Sequence, residues 1–281
     1  MWETRAGGAL RRLWMDVAHR LWRPHPPARG WLVKQAPING YHILVFVNEE
    51  VGCSIYCYRS YERDESKLIA SVTREDAICI DVGANVGYYS LLLASLAPRG
   101  QVHAFEPVPR NFHLLSTSVL LNGFDNVVLN CCAVGNTDGQ MSFTVSADSA
   151  YSSFLDTGRR ARSRTITVPV RTIVSYCKER GLHRIDFMKV DVEGAEQLVL
   201  EGASGCLEDA RLRPKLMMIE LYEPMLRTYA TSIDAIVSCL STFGYAPFIS
   251  RGGHVIPFER RHHNQFWNVF FAEDRARLES R

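Results

Sequence analysis

An acid, two glycines and an asparagine stand together in the stretch DVGANVG at 81–87, between an apolar run and an apolar segment of helical periodicity. Glycine has no Cβ, so Gly83 and Gly87 allow a sharp turn and a close approach of a ligand to the backbone. The helix predicted to follow directs its free amide groups toward the same space. Such a turn can bind a nucleotide or a carboxylate; a glycine turn that serves only strand-to-helix geometry stays open as the alternative.

A second acid follows at the end of the next predicted strand, in the sequence AFEP. Glu106 lies about twenty residues beyond Gly87, where an acid can accept hydrogen bonds from both hydroxyls of an unphosphorylated ribose. The two features together predict a cofactor that contains adenosine. The spacing G-x-N-x-G departs from the G-x-G-x-x-G of nicotinamide dinucleotide sites, and Asp81 beside it is unsuited to a pyrophosphate.

A third group of charged residues lies in the sequence FMKVDVEGAE. Alternation along the predicted strand puts Lys189 and Asp191 on the same side, at the strand end where open parallel sheets bind ligands. Glu193 and Glu196 fall near the start of the following helix, where the helix dipole favours acids, so a capping role accounts for them. Glu220 ends the next strand and is expected to lie close to Asp191.

The elements that must position these residues alternate between strand and helix from residue 76 onward. Such alternation predicts an α/β fold with a mostly parallel sheet and helices on both faces. The range 139–170 breaks the rhythm with two segments that alternate like antiparallel strands, and we predict an inserted hairpin or lid there. The strands are predicted at 77–82, 101–105, 126–132, 185–190, 215–221 and 266–271, and the helices at 88–96, 109–121, 195–201 and 232–243.

The N-terminal part of the chain is predicted to form separate elements before this domain. Apolar residues recur at helical spacing over 9–23, opposite arginines, which predicts an amphipathic helix. Its basic face and tryptophans permit contact with a membrane surface, while packing on its own domain or on a second subunit is the other interpretation. Residues 41–61 are predicted to form two strands joined at 48–52, with a short helix at 66–71. The predicted division is a helix and linker at 1–40, a β-hairpin and helix extension at 41–75, and the main domain at 76–275.

Composition excludes several classes of function. The 281 residues carry a formal net charge of +2, which gives no reason to expect a nucleic acid partner. No apolar run is long enough to span a bilayer, and the first residues lack the apolar core and cleavage site of a secretory signal. The eight cysteines are scattered in mostly apolar contexts, without paired CxxC motifs, which is typical of reduced thiols. A cytoplasmic protein is therefore predicted.

Four motifs resemble, in their order and spacing, the FkbM family of methyltransferases: DVGANVGYYS, AFEPVPRNF, NCCAVGNTDG and FMKVDVEGAE. The resemblance covers the range 60–250 and implies a Rossmann-like sheet of seven strands. It also implies S-adenosyl-L-methionine as cofactor and, usually, methylation of a hydroxyl oxygen on a sugar or a secondary metabolite. Carried over by position, the turn of Asp81, Gly83, Ala84, Asn85 and Gly87 holds the methionine part of the cofactor, Glu106 binds its ribose, and Cys132 and Ala133 flank its adenine.

The charged residues after the strand predicted at 185–190 are the candidates for catalysis. Methyl transfer to a hydroxyl requires aligned reactants and a base for the hydroxyl proton. Asp191 is the first candidate for a residue beside the reacting methyl group, with Lys189 shaping its charge and Glu220 close by. Asp191 and Glu220 also resemble the metal carboxylates of catechol-type O-methyltransferases, but the sequence offers no clear third ligand, so no metal is predicted.

The partner expected from these features is a small-molecule or glycan acceptor. Two other functions stay open at this point. One is a nicotinamide-dependent oxidoreductase, which would use the same glycine turn and the same acid. The other is a membrane-associated binding protein that has kept the fold and lost turnover.

Overall fold

The computed structural model describes residues 32–146, 152–155, 164–263 and 267–278. The amphipathic helix predicted at 9–23 and the middle of the predicted insertion lie outside these ranges. Within the described ranges, the helices are all too short or too polar to cross a membrane.

Strands and helices alternate along the main domain, as predicted. The strands are β1 (Val33–Ile38), β2 (Tyr41–Phe46), β3 (Ile78–Val82), β4 (Gln101–Phe105), β5 (Val127–Asn130), β6 (Ala133–Val134), β7 (Gly139–Val145), β8 (Arg164–Arg171), β9 (Phe187–Val190), β10 (Leu216–Glu220), β11 (Ala246–Arg251), β12 (His254–Pro257) and β13 (Asn268–Ala272). The helices are α1 (Glu50–Tyr58), α2 (Arg63–Val72), α3 (Tyr88–Leu96), α4 (Pro109–Asn122), α5 (Ile173–Arg180), α6 (Glu196–Gly202), α7 (Ser204–Glu208), α8 (Glu223–Thr228) and α9 (Ile233–Ser241).

Eight strands form the main sheet, in the order β12-β11-β13-β10-β9-β3-β4-β5. The strands from β10 to β5 are parallel to their neighbours, whereas β13, β11 and β12 join antiparallel. The Rossmann-like, mostly parallel fold is therefore confirmed. The seven strands implied by the family resemblance are one too few, because the short strand β12 turns back through Gly252 and Gly253 and pairs with β11 at the sheet edge.

The core is divided between the two faces of the main sheet. Successive side chains of a strand point to opposite faces, so Cys79 of β3 packs with α3 and α4 while Ile80 packs with α5, α6 and α9. Both side chains are fully buried. Helices therefore cover both faces, as predicted, and the strand ends are left to form the site.

The N-terminal extension differs from the prediction. The first strand of its hairpin is β1, which lies in the predicted linker and pairs antiparallel with β2. The predicted second strand is the helix α1, although its aromatic and β-branched residues favour a strand. Tertiary packing determines that this segment is a helix. Gly52 lies so close to Phe46 that any side chain at position 52 would overlap the carbonyl of Phe46, and Ile55 is fully buried. The helix predicted at 66–71 is confirmed within α2.

The predicted insertion is confirmed as a hairpin. Strands β7 and β8 pair antiparallel, with Gly139 opposite Val170 and Val145 opposite Arg164, and β6 adds to β8 in parallel, which makes a separate three-stranded sheet. Ser153 returns to form a bridge with Thr144. This sheet stands beside the carboxyl ends of the main strands and provides one wall of the site described below.

Candidate active site

The carboxyl ends of β3, β4, β9 and β10 border one cleft of about 930 Å³, part of which is open to solvent. The chain runs from β3 to β4 on one side, whereas β9 pairs with β3 on the other, so the cleft lies at the switch point where open α/β sheets bind ligands. The predicted residues that line it are Gly83, Ala84, Asn85, Glu106, Cys132, Ala133, Lys189, Asp191 and Glu220.

The glycine turn is tied to β4 by its own amides. The amides of Gly83 and Ala84 donate to the carbonyl of Phe105 at 3.0 and 2.9 Å. The amide of Asn85 donates to Oε2 of Glu106 at 2.8 Å. These three amides are engaged by the protein, so the turn serves a ligand through its shape and through the carboxylate that it anchors.

Gly83 and Gly87 are required by close packing as well as by backbone conformation. Their φ angles are 77° and 96°, in the region that glycine adopts without strain. A Cβ on Gly83 would overlap the carbonyl oxygen of Asp191, and a Cβ on Gly87 would overlap the side chain of Leu115. At the Cβ positions of both glycines the close neighbour is therefore the protein itself, and binding of the cofactor beside the turn stays a prediction.

Glu106 is buried at the end of β4, and its carboxylate accepts three hydrogen bonds. The amide of Val108 donates to Oε1 at 2.9 Å and the side chain of Asn111 at 3.3 Å, while Asn85 occupies Oε2. A carboxylate has about four acceptor positions, so one remains on Oε2 for a ribose hydroxyl rather than the two expected. Burial raises the pKa of Glu106 to about 7, against the opposing effect of these hydrogen bonds. The residue fits the sugar of an adenosine cofactor.

Asp81 lies beneath the cleft instead of in its wall. Its side chain is fully buried, and Ser90 donates to its Oδ2 at 2.6 Å. The ammonium of Lys189 is 3.7 Å from its Oδ1. Burial raises the pKa of Asp81, and the ammonium of Lys189 opposes that change. In this structure Asp81 is connected to the cleft through Lys189, and its contact with the methionine part of the cofactor stays a prediction.

Lys189 connects the ends of β3 and β9. Its Nζ lies 3.0 Å from Oδ2 of Asp191 and donates to the carbonyl of Gly83 at 3.2 Å. Burial acts to lower the pKa of Lys189, but the carboxylates of Asp191 and Asp81 outweigh it and raise the pKa above its usual value. Among the described residues that line the cleft, Lys189 is the only cation. It stays charged and orients the carboxylate of Asp191.

Asp191, Glu193 and Glu220 form an acidic cluster in the cleft, with carboxylate oxygens within 4.8 Å of one another. The proximity of Asp191 and Glu220 was predicted from their strand ends. Burial raises the pKa of Glu220 well above its usual value, and the charge of Asp191 raises it further. Three carboxylates of this kind could hold Mg²⁺. Glu193 thus supplies a third candidate oxygen ligand, which the sequence did not reveal.

Glu193 and Glu196 have different roles, although the sequence assigned both to capping. Glu193 has a left-handed φ of 56° and lies in the loop before α6, so it turns into the cluster instead of capping the helix. Glu196 is the first residue of α6, and its Oε1 accepts from the amides of Val192 at 3.1 Å and Gly194 at 3.2 Å. Burial raises the pKa of Glu196 to about 7. It stabilises the loop that presents Glu193.

The insertion closes the side of the cleft that was predicted to hold adenine. Cys132 and Ala133 lie in its wall together with Phe143 and Phe154 of the insertion. The hydroxyl of Ser153 contacts the carbonyls of Val192 and Glu193 at 3.1 and 3.0 Å. Ser153 of the insertion therefore contacts the loop that carries the acidic cluster.

Sequence reasoning missed a wall of tyrosines formed by Tyr61, Tyr88 and Tyr89. The ring of Tyr89 lies 5.5 Å from Nζ of Lys189, and Tyr61 packs edge to face on Tyr88 at 5.7 Å. The pair YY after Gly87 is a usable signal, because these residues open the helix that follows the turn. Tyr61 belongs to the N-terminal extension, and no pattern in the sequence connects it to the cleft.

The fold is Rossmann-like, and its cleft lies at the switch point where open sheets of this kind bind nucleotides and related cofactors. The model of the Methyltransferase FkbM domain matches residues 81–247, more than half of the chain, and the chain belongs to this family. The family and the cofactor predicted from the four motifs are thereby confirmed.

Named relatives share only part of their length and about a quarter of their residues with this chain. It is 25% identical over 201 residues to the 2-O-methyltransferase NoeI of Sinorhizobium fredii, a match that takes in 66% of this chain and 80% of that protein. It is 28% identical over 184 residues to the 31-O-demethyl-FK506 methyltransferase FkbM of Streptomyces tacrolimicus, with 55% of this chain and 69% of that protein covered.

Three further matches cover a smaller share of the matched protein. A methyltransferase FkbM from Methylobacillus flagellatus KT, a solved structure, aligns with a TM-score of 0.45 at 15% identity, over 70% of this chain and 44% of that one. The chain spans 10% of the length of one further curated relative and 59% of another.

Proposed function

We propose that the protein transfers a methyl group from S-adenosyl-L-methionine to a hydroxyl oxygen of a sugar or a secondary metabolite. One observation carries the proposal: Glu106 lines the cleft at the end of β4, while Asp191 and Glu220 line it on the other side of the glycine turn. Glu106 would hold the ribose of the nucleoside, and Asp191 and Glu220 lie where an acceptor hydroxyl beside the methionine part would be bound.

The residues of the cleft have separate binding roles in this proposal. Glu106 holds the ribose through the free acceptor position on Oε2, and Cys132 and Ala133 flank the adenine. The glycine turn borders the methionine part. Asp81 acts indirectly, because it anchors the ammonium of Lys189 from below.

The carboxylate of Asp191 is the proposed base. The bound cofactor supplies an electrophilic methyl group on a positively charged sulfur, and the carbon–sulfur bond breaks as the acceptor oxygen bonds to the carbon. Asp191 accepts the hydroxyl proton, and Lys189 at 3.0 Å orients its carboxylate. Such a base contributes about 10²–10⁴-fold in rate, and alignment of the reactants lowers the barrier by about 7–11 kcal/mol.

The surroundings of the cluster favour an acceptor rich in hydroxyl groups. Carboxylates accept hydrogen bonds from hydroxyls, and the rings of Tyr61, Tyr88 and Tyr89 offer flat apolar surfaces beside them. The names of two relatives, a 2-O-methyltransferase and a 31-O-demethyl-FK506 methyltransferase, support oxygen as the methylated atom. Membrane contact through 9–23, a cytoplasmic location and the division of the chain at 40 and 75 stay predictions.

Two measurements test the proposal. Calorimetry of the purified protein with S-adenosyl-L-methionine and, separately, with NAD should show heat only with the former. The family assignment already gives no support to the nicotinamide alternative. The protein is then incubated with glycans and metabolite extracts and a methyl-labelled cofactor, and mass spectrometry locates the label on an oxygen. A folded protein that binds no cofactor, and whose Glu106→Ala variant behaves identically, would overturn the proposal.

A further inference from the structure

The carboxylate of Glu62 lies behind the cleft wall and belongs to a segment outside the matched family domain. The residue lies between α1 and α2, whereas the family match begins at residue 81. Its Oε2 accepts a hydrogen bond from the hydroxyl of Tyr89 at 2.5 Å, and the side chain of Asn268 donates to it as well. Tyr89 lines the cleft, and Asn268 pairs in register with Glu220. Glu62 therefore stands directly behind the wall that carries the acidic cluster.

The turn that holds Glu62 is fixed in place by contacts with the cleft wall. Its φ and ψ are 42° and 64°, a left-handed conformation that is uncommon for residues other than glycine and that persists where the surroundings impose it. The hydroxyl of Ser66 donates to the carbonyl of Tyr61 at 2.9 Å and contacts the hydroxyl of Tyr88 at 3.1 Å. The extension is thus built onto the cleft, and Glu62 has a defined position in it.

Glu62 adds negative charge to a cleft whose one described cation is already balanced. Lys189 is paired with Asp191 at 3.0 Å and with Asp81 at 3.7 Å. The partners of Glu62 among the described residues, Tyr89 and Asn268, are neutral. Burial raises the pKa of Glu62, the charge of Asp191 raises it further, and the hydrogen bonds and Lys189 oppose them. Tyr89 connects Glu62 to this charged group, because its hydroxyl donates to Glu62 at 2.5 Å while its ring lies 5.5 Å from Nζ of Lys189.

We propose that Glu62 is a specificity-determining residue of the cofactor site, whose carboxylate favours the sulfonium of S-adenosyl-L-methionine over the neutral thioether of S-adenosylhomocysteine. The inference rests on the proposed function, because it requires the bound nucleoside to direct its sulfur toward Asp191. The two nucleosides differ only in the methyl group and the positive charge of the sulfur. A carboxylate nearby attracts the charged sulfonium and therefore raises the affinity for S-adenosyl-L-methionine relative to S-adenosylhomocysteine. Glu62 thereby assists the replacement of product by fresh cofactor.

The test is a calorimetric titration of the whole chain with each of the two nucleosides. The variants are Glu62→Gln, which removes the charge and keeps an oxygen acceptor for Tyr89, and Glu62→Asp, which keeps the charge. Glu75→Gln is the matched control, because Glu75 lies in the extension but is exposed and paired with Arg99. Glu62→Gln should lower the preference for the sulfonium about five- to tenfold. Glu62→Asp should retain most of the preference, and Glu75→Gln all of it.

Each outcome decides between the two proposals. An unchanged ratio of the two dissociation constants in folded Glu62→Gln overturns this inference and leaves the proposed function standing. Equal weakening of both nucleosides also overturns it, since that result assigns Glu62 a purely structural role. A wild-type protein that binds neither nucleoside overturns the proposed function instead. If Glu62→Gln does not fold, Glu62→Ala removes the same charge and must give the same change in ratio.

Discussion

The backbone carbonyl of Asp191 occupies the space that a side chain on Gly83 would fill. This contact joins the turn after β3 to the end of β9, the two places that the proposed function assigns to the cofactor and to catalysis. Lys189 adds to the connection by donating to the carbonyl of Gly83 at 3.2 Å. A change that separates the two strand ends is therefore expected to disturb the fold and the site together.

Gly83→Ala is expected to lower the free energy of unfolding by about 3 kcal/mol or more, because a left-handed backbone and an overlap with another backbone group act together. Gly181→Ala is the matched control. Gly181 has a φ of 63°, but the space around it is open, so this variant should lose about 1 kcal/mol. Urea unfolding measures the free energy of unfolding of both variants. Equal losses would show that the contact with Asp191 adds nothing.

Glu106→Gln is expected to weaken the binding of S-adenosyl-L-methionine about tenfold at pH 8, because a hydrogen bond to a charged acceptor becomes a neutral one. The pKa of Glu106 is raised by burial to about 7. Ionisation strengthens the acceptor, so the affinity of the wild type should increase from pH 6 to pH 8, and the variant should lose that increase. Calorimetry from pH 6 to pH 8 measures the affinity of the wild type and of the Glu106→Gln variant, with Asp125→Asn at an exposed position as control. A variant with wild-type affinity at both pH values contradicts the assignment.

Much of the main domain could be predicted because its signals are local. Apolar strands, helical periodicity and glycine turns alternate along the sequence, and the carboxyl ends of neighbouring parallel strands must meet, which brought Asp191 and Glu220 together. The helix α1 could not be predicted, because its residues favour a strand. Only the close packing of Gly52 on Phe46, a tertiary contact, accounts for a helix there.

The details of the site depended on long-range contacts. The strand end at Asp81 was recognisable, but burial beneath the cleft depends on Ser90 and Lys189. Glu193 enters the cluster because the loop after β9 takes a left-handed turn there, which the sequence does not show. Glu62 comes from a different part of the chain, and only the folded structure connects it to Tyr89.

Asp191→Asn is expected to lower kcat by about 10²–10⁴-fold, because it removes the proposed base. The amide keeps the shape of the side chain, so the affinity for S-adenosyl-L-methionine should stay within a few fold of the wild type. Rates are measured with the acceptor that the labelled-cofactor screen supplies, and affinity by calorimetry. Exposed Glu208→Gln is the control for a generic loss of charge. Wild-type turnover in Asp191→Asn would remove Asp191 from the mechanism.

Turnover is expected to survive treatment with excess EDTA. The acidic cluster could hold Mg²⁺, but Lys189 already places a fixed positive charge 3.0 Å from Asp191, and the raised pKa of Glu220 lets a proton neutralise a second carboxylate. The measurement compares initial rates after chelation with rates after Mg²⁺ is restored. Loss of activity that Mg²⁺ restores, and that Glu193→Gln reproduces, would establish a metal site in place of this prediction.

The stability of the unliganded protein is expected to fall as the pH rises from about 4.5 to about 7. Burial raises the pKa of Glu106 and of Glu196 to about 7. The folded state therefore binds protons more strongly than the unfolded state in this window, and each group contributes stability below its unfolded pKa that is lost by about pH 7, ~3 kcal/mol per group. Asp138 does not affect the stability change between pH 4.5 and pH 7. The amide of Thr172 lowers its pKa, so the stability that Asp138 contributes is lost only at lower pH.

Glu196→Gln isolates one of these groups. Glutamine keeps an oxygen for the amides of Val192 and Gly194 and never carries the buried charge. The variant should therefore be about as stable as the wild type at pH 5 and more stable than it at pH 8, with a difference that grows by about 2–3 kcal/mol between the two pH values. Urea unfolding at each pH gives this difference, and contributions from groups common to both proteins cancel. A difference that does not vary with pH would show that Glu196 titrates alike in the folded and unfolded states.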